Sequence, residues 1–106
     1  MQRGISLVAS IGHFPILPIE FCLEKMIVSA AIMQAPVVHY NFSKNPDIAY
    51  VILSTSHMSL HVLKGEKKQS ALLDILTCGN CDPRRAYTYL KQQLGFYDDH
   101  YYFKEL

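Results

Sequence analysis

Hydrophobic and polar residues alternate in the middle of this chain in a way that predicts one β-strand with two different faces. Polar and apolar positions follow each other in the order His57, Met58, Ser59, Leu60, His61 and Val62. Because successive side chains of a strand point to opposite faces, this spacing collects the polar residues on one face. The apolar residues are then free to anchor the same strand in a core.

The other patterns predict five more strands and two helices. Short apolar or alternating runs indicate strands over 5–11, 37–42, 48–53, 71–77 and 97–103, and the third can continue directly into the central stretch. Helical spacing of apolar residues indicates a helix from Ile19 to about Gln34. Asp82 as N-cap, Pro83 at the first position and Gly95 at the end indicate a second helix. This order predicts one α+β domain over 1–106, a two-layer sandwich with two helices on one face of a mainly antiparallel sheet.

The loop after the central strand predicts which residues face each other across the next hairpin. If the loop is centred between Glu66 and Lys67, the numbers of paired residues sum to 133, and Cys78 lies across from Thr55. Cys78 is then next to Ser56, and with His61 this gives a hydroxyl, a base and a thiol as a candidate cluster. Ordinary strand residues beside a buried cysteine would give the same pattern, so the residues alone leave both interpretations open.

Cys78 and Cys81 also form a C-x-x-C pair at a strand end just before a helix, the local setting of a thioredoxin-like redox motif. The antiparallel hairpin and the lack of a parallel strand-helix-strand unit in the first half argue against that function. A zinc site that adds His57 and His61 is less favoured still, because residues four apart on a strand are about 13 Å from each other. We predict no metal and keep disulfide redox chemistry as an alternative.

The bulk composition argues against several classes of protein. A net charge of +1 with scattered basic residues gives no reason to expect a nucleic-acid partner. Three cysteines, an odd number, suit a reducing cytoplasm better than a disulfide framework. The apolar run over 26–33 is far below the ~20 residues that a membrane helix needs, and the first ten residues lack a clear signal-peptide cleavage pattern. We expect a soluble cytoplasmic protein.

Two motifs of this chain occur in an order that is known from one protein family. Residues 55–61 read TSHMSLH and residues 74–79 read DILTCG, followed by Asp82-Pro83. These motifs resemble the small bacterial and archaeal S-adenosylmethionine decarboxylases. The resemblance spans about residues 37–95, and the first third of the chain matches only in the layout of its elements.

The resemblance implies a proenzyme that makes its own cofactor. The family's serine, which matches Ser56, attacks the preceding carbonyl, and the peptide bond rearranges to an ester. β-Elimination then leaves a pyruvoyl group at the new N-terminus. Cleavage between Thr55 and Ser56 would give chains 1–55 and 56–106, with His61 as the processing base.

The resemblance also implies the roles of the other site residues. The pyruvoyl ketone derived from Ser56 would form a Schiff base with the substrate amine and act as electron sink. Cys78 matches the residue that returns a proton to the substrate carbon. Phe42 matches the aromatic that stacks on adenine, and Glu66 matches the ribose-binding glutamate if the loop is allowed one extra residue. The expected protein is a homodimer that decarboxylates S-adenosylmethionine for polyamine (spermidine) synthesis.

The chain departs from the family's pattern at specific positions. Thr55 stands where the family has glutamate, and the family's helper serine falls near Ile48, with Asp47 and Ser54 as the nearest polar substitutes. The loop over 62–65 lacks the family's aromatic-proline pair. Two alternatives therefore remain, a pyruvoyl decarboxylase of arginine or ornithine and an unprocessed homologue that binds a ligand or partner subunit without catalysis.

Overall fold

The fold is a six-stranded antiparallel sheet with two helices, described for residues 4–106 in a computed structural model. The elements are β1 (Gly4–Phe14), α1 (Ile19–Ile32), β2 (Val37–Ser43), β3 (Asp47–Leu53), β4 (His57–Lys64), β5 (Gln69–Cys78), α2 (Pro83–Leu94) and β6 (Tyr97–Glu105). The strand order is β2-β3-β4-β5-β1-β6. This architecture confirms the predicted α+β fold. Residues 1–3, which are part of the N-terminal segment considered above as a signal peptide, lie outside the described part of the chain.

The core lies between the helices and one face of the sheet. Along β4, Met58 and Leu60 are fully buried and Val62 nearly so, while the intervening residues are more exposed, as the alternation predicts. The residues that fill the same layer from the two helices include Met26, Ala30, Ala86 and Leu90. The strand pattern therefore fixes which face of the sheet the helices cover.

The opposite face of the sheet, here called the outer face, is open in the described part of the chain. On the central strands it carries His57, Ser59, His61, Leu72, Asp74 and Leu76. Apolar side chains on the flanking strands are also exposed there, including Val8, Ile52 and Tyr102. Apolar area of this kind on a sheet is typical of a protein–protein interface.

The second helix is tied to the edge strand β6 by a buried carboxylate. The Asp99 side chain is only 6% exposed and receives a hydrogen bond from the Tyr87 hydroxyl and an ion pair from Lys91 Nζ at 3.1 Å. Burial by itself would raise the pKa of Asp99, but these two partners lower it below its ordinary value. Burial and the neighbouring carboxylate raise the pKa of Tyr87, so its hydroxyl stays a donor.

We expect Asp99→Asn to lower the free energy of unfolding by about 2 kcal/mol at neutral pH, because it weakens two hydrogen bonds to a charged group. The lowered pKa means that this stabilisation is present above the unfolded-state pKa of about 4 and disappears as the pH falls through the folded-state value. Urea unfolding of both proteins at several pH values measures the difference. The neighbouring exposed Asp98, substituted by Asn, is the control. A difference that stays constant between pH 7 and pH 3 would contradict this role for Asp99.

Candidate functional site

A tight turn presents the bond between Thr55 and Ser56. Leu53 N donates to Ser56 O at 2.8 Å, and Ser56 N donates to Leu53 O at 3.5 Å, so only Ser54 and Thr55 lie at the corner. The expectation that the third strand continues into the central stretch is therefore wrong, because β3 and β4 form a hairpin here. Since the two flanking residues bond to each other, the Thr55 carbonyl is left outside the ladder.

Cys78 lies beside the carbonyl of that bond. The β4–β5 pairs, such as His57 with Leu76 and Met58 with Ile75, sum to 133 and confirm the register derived from the loop. The same register carried to the strand end places Cys78 across from Thr55. The Cys78 thiol donates to the Thr55 carbonyl oxygen at 3.5 Å. The structure thus brings a proton donor to the acyl group that the neighbouring Ser56 would attack.

His61 lies on the outer face and is not close to Ser56 in the same chain. It pairs with Ile48 on β3 and with Leu72 on β5, and its side chain is exposed. It stands five positions after Ser56, which is about 16 Å along a strand. Ile48, the position of the missing helper serine, is directly beside His61. Asp47 lies on the helix-facing side instead, where Lys64 Nζ contacts it at 3.2 Å.

The structure adds one polar pair that the sequence reasoning missed. His57 Nε2 lies 3.5 Å from Asp74 Oδ2 on the outer face, next to the turn. The signal was available in the hairpin register, which pairs Asp74 with Ser59 and so puts it diagonally across from His57. In this position the Asp74 carboxylate orients the imidazole of His57, the residue that directly follows Ser56 in the chain.

The two residues predicted to bind substrate lie away from the turn within one chain. Phe42 pairs with Ala49 near the far end of the edge strand β2 and is partly exposed. Glu66 is in the β4–β5 loop, a full strand of about 26 Å from Ser56. There it lines an open cavity of about 470 Å³ together with His13 and Lys68.

A second thiol lies near the turn, and the third cysteine does not. The Cys81 Sγ atom is 3.8 Å from the carbonyl oxygen of Gln34 in the segment between α1 and β2. Cys22 is buried in the core, and burial raises the pKa of its thiol to about 11. Within residues 4–106, no three His, Cys, Asp or Glu side chains are grouped to hold a metal ion. No helix in that range is long and apolar enough to cross a membrane.

Comparison with known proteins places this chain in one family. A family model for S-adenosylmethionine decarboxylase matches residues 18–104. The chain is 33% identical over 81 residues to the S-adenosylmethionine decarboxylase proenzyme of Geobacillus sp. (strain WCH70), covering 73% of this chain and 63% of that protein. It is 31% identical over 77 residues to the proenzyme of Geobacillus kaustophilus (strain HTA426), covering 69% of this chain and 60% of that protein. The chain thus spans somewhat less than two thirds of either relative.

A solved structure has the same fold. The adenosylmethionine decarboxylase from Aquifex aeolicus superposes with a TM-score of 0.76 at 21% identity, over 97% of this chain and 89% of that one. At that identity the likeness supports the architecture, while the sequence matches above support the family. The chain belongs to the S-adenosylmethionine decarboxylase family.

Proposed function

We propose that this protein is a pyruvoyl-dependent S-adenosylmethionine decarboxylase that cleaves itself between Thr55 and Ser56. The observation that carries the proposal is the Cys78 thiol 3.5 Å from the Thr55 carbonyl oxygen. Its product would serve polyamine (spermidine) synthesis. The odd number of cysteines, three, supports a cytoplasmic location.

The geometry of the turn suits the first step of self-cleavage. The Ser56 hydroxyl attacks the Thr55 carbonyl carbon, and negative charge develops on the carbonyl oxygen that Cys78 contacts. A donor at that oxygen stabilises the charge as it forms. The C–N bond then breaks to leave an ester. Loss of the Ser56 Cα proton and cleavage of its Cβ–Oγ bond release the carboxylate of Thr55. Hydrolysis of the remaining enamine with loss of ammonia gives the pyruvoyl group.

The distance between His61 and Ser56 supports a dimeric site. His61 lies on an outer face that is open and partly apolar, about 16 Å along the strand from Ser56. If two copies pack outer face to outer face with their β4 strands antiparallel, His61 of each copy approaches Ser56 of the other. The same arrangement brings each β4–β5 loop, with Glu66, toward the partner's turn.

The chain also offers a fitting environment for a pyruvoyl group at Ser56. That group, once formed, supplies a ketone that draws electrons from the substrate carboxyl. Cys78 lies on the adjacent strand end and holds a proton within reach of the same position. Asp74 orients His57 beside it at 3.5 Å. The resemblance supports Phe42 as the residue that stacks on the adenine ring.

Denaturing mass spectrometry of the purified protein tests the cleavage. We expect two fragments, 1–55 and 56–106, with the second lighter by one ammonia than simple hydrolysis would give. Ser56→Ala removes the nucleophile and should leave one intact chain, whereas Thr88→Ala, which removes an exposed hydroxyl from α2, should still be cleaved. A wild-type chain that keeps its full mass would refute the enzyme and favour a ligand-binding homologue.

The substrate is a separate question from cleavage. Release of labelled carbon dioxide from carboxyl-labelled S-adenosylmethionine, arginine and ornithine compares the three candidates directly. We expect release from S-adenosylmethionine alone. Release from arginine or ornithine would keep the pyruvoyl chemistry and replace the substrate.

A further inference from the structure

Cys78 and Cys81 are held at the two ends of one turn. Gly79 and Asn80 form the corner, and Gly79 has a φ of 69°, in the left-handed region that glycine adopts without strain. A β-turn keeps the Cα atoms of its first and fourth residues within about 7 Å, which is the span that a disulfide can bridge. The Thr77 hydroxyl donates to the Cys81 carbonyl oxygen at 2.8 Å and fixes the far end of the turn.

Both thiols point into the same small region. Cys78 contacts the carbonyl in the β3–β4 turn at 3.5 Å, and Cys81 contacts the Gln34 carbonyl at 3.8 Å. These two acceptors belong to neighbouring segments, because Ser54 N donates to Pro36 O at 3.1 Å. Both side chains are partly exposed, so an oxidant in solution can reach them. Two accessible thiols that converge beside the candidate site form a dithiol.

We propose that Cys78 and Cys81 form a peroxide-sensitive dithiol, whose oxidation to a disulfide switches off the candidate site reversibly. The loss of activity rests on the function proposed above, and the formation of the disulfide does not. Disulfides in reducing compartments are usually transient and redox-sensing.

The oxidation balances with one hydrogen peroxide. The Cys78 thiolate attacks one peroxide oxygen, the O–O bond breaks, and the departing hydroxide takes up a proton to become water. Cys78 is left as a sulfenic acid. The Cys81 thiolate then attacks that sulfur, the S–S bond forms, and the S–O bond breaks to give a second water. Two thiols have lost two hydrogens and two electrons, and the peroxide has gained them.

The disulfide has a direct consequence for the site. It removes the proton that Cys78 would return to the substrate carbon. Exchange with a small thiol restores both cysteines. Cys22 serves as an internal reference, because its sulfur is fully buried and is protected from the same oxidant.

Peptide mapping tests the disulfide without any activity measurement. The native protein is treated briefly with hydrogen peroxide, quenched, denatured, alkylated and digested with trypsin, which cuts after Lys68 and Arg84 and leaves both cysteines in peptide 69–84. We expect this peptide to be two hydrogens lighter and free of alkyl groups, while the Cys22 peptide is alkylated. The Cys22→Ala variant should give the same result.

The result that would overturn the inference is a peptide 69–84 that carries two alkyl groups, or a sulfinic acid at Cys78 of the wild-type chain. Carbon dioxide release gives the second readout. Peroxide should inactivate the wild-type protein reversibly, with recovery in dithiothreitol. Excess peroxide should inactivate Cys81→Ser irreversibly, because its sulfenic acid has no second thiol to react with and a second peroxide oxidises it to sulfinic acid, which dithiothreitol does not reduce. Equal recovery in both would refute the switch. If the chain proves uncleaved or inactive, the peptide result still decides the disulfide.

Discussion

Co-expression of Ser56→Ala with His61→Ala should restore a cleavage that neither variant shows alone. The reason is the separation of about 16 Å between the two residues on one strand, which prevents a chain from using its own His61. In the dimer proposed above, the His61→Ala chain of a mixed pair keeps its Ser56 and would face the intact His61 of its partner. One of the two sites is then complete, and the other lacks both groups.

The yield of this experiment is set by the symmetry of the assembly. With equal expression and random pairing, about half of the His61→Ala chains meet a Ser56→Ala partner in a closed dimer. About half of the His61→Ala chains should therefore appear as fragments in the mass spectrum, and no Ser56→Ala chain should be cut. Two different affinity tags on the chains identify which one is cleaved. A His61→Ala chain that cleaves fully by itself would refute His61 as the base and favour His57, which Asp74 orients.

The sequence predicts the fold well because the signals are local. Strand alternation around Met58 and Leu60 predicts the buried face, and the Asp82, Pro83 and Gly95 signals predict the bounds of α2. The centre of one short loop is enough to place Cys78 against the turn, since antiparallel pairing transmits register along the whole hairpin. For this part of the molecule, the pattern along the chain is sufficient.

Other features depend on contacts that no local pattern encodes. The orientation of the Thr55 carbonyl depends on the hydrogen bonds that close the turn, and the sequence equally allowed one continuous strand. The approach of Cys81 to Gln34 joins segments that are 47 residues apart. A sequence motif also lists residues by their order along the chain, and this order does not say how close they are in space. Ser56 and His61 stand five positions apart in one motif, yet the extended backbone leaves Ser56 just before β4 and His61 in the middle of that strand.

Substitution of Cys78 should separate its contribution to cleavage from its contribution to decarboxylation. Cys78→Ala removes the donor to the Thr55 oxygen, and we expect self-cleavage to slow about tenfold, the effect of losing one modest hydrogen bond. Cys78→Ser keeps a hydroxyl donor at the same place and should be cleaved at close to the normal rate. The pyruvoyl protein from either variant should release carbon dioxide about 10²–10⁴-fold more slowly, because a serine hydroxyl is a far weaker acid than a thiol.

The two rates are measured on the same preparations. Cell-free synthesis with labelled methionine follows the loss of full-length chain with time, and carboxyl-labelled S-adenosylmethionine follows decarboxylation of the fraction already cleaved. Cys81→Ser is the matched control, because its thiol contacts Gln34 and not the scissile carbonyl, and both of its rates should stay near those of the wild type. If Cys78→Ala cleaves as fast as Cys78→Ser, the 3.5 Å contact does not assist the acyl shift. Cys78 would then act only after the pyruvoyl group has formed, when its thiol faces the substrate carbon and no longer the carbonyl of Thr55.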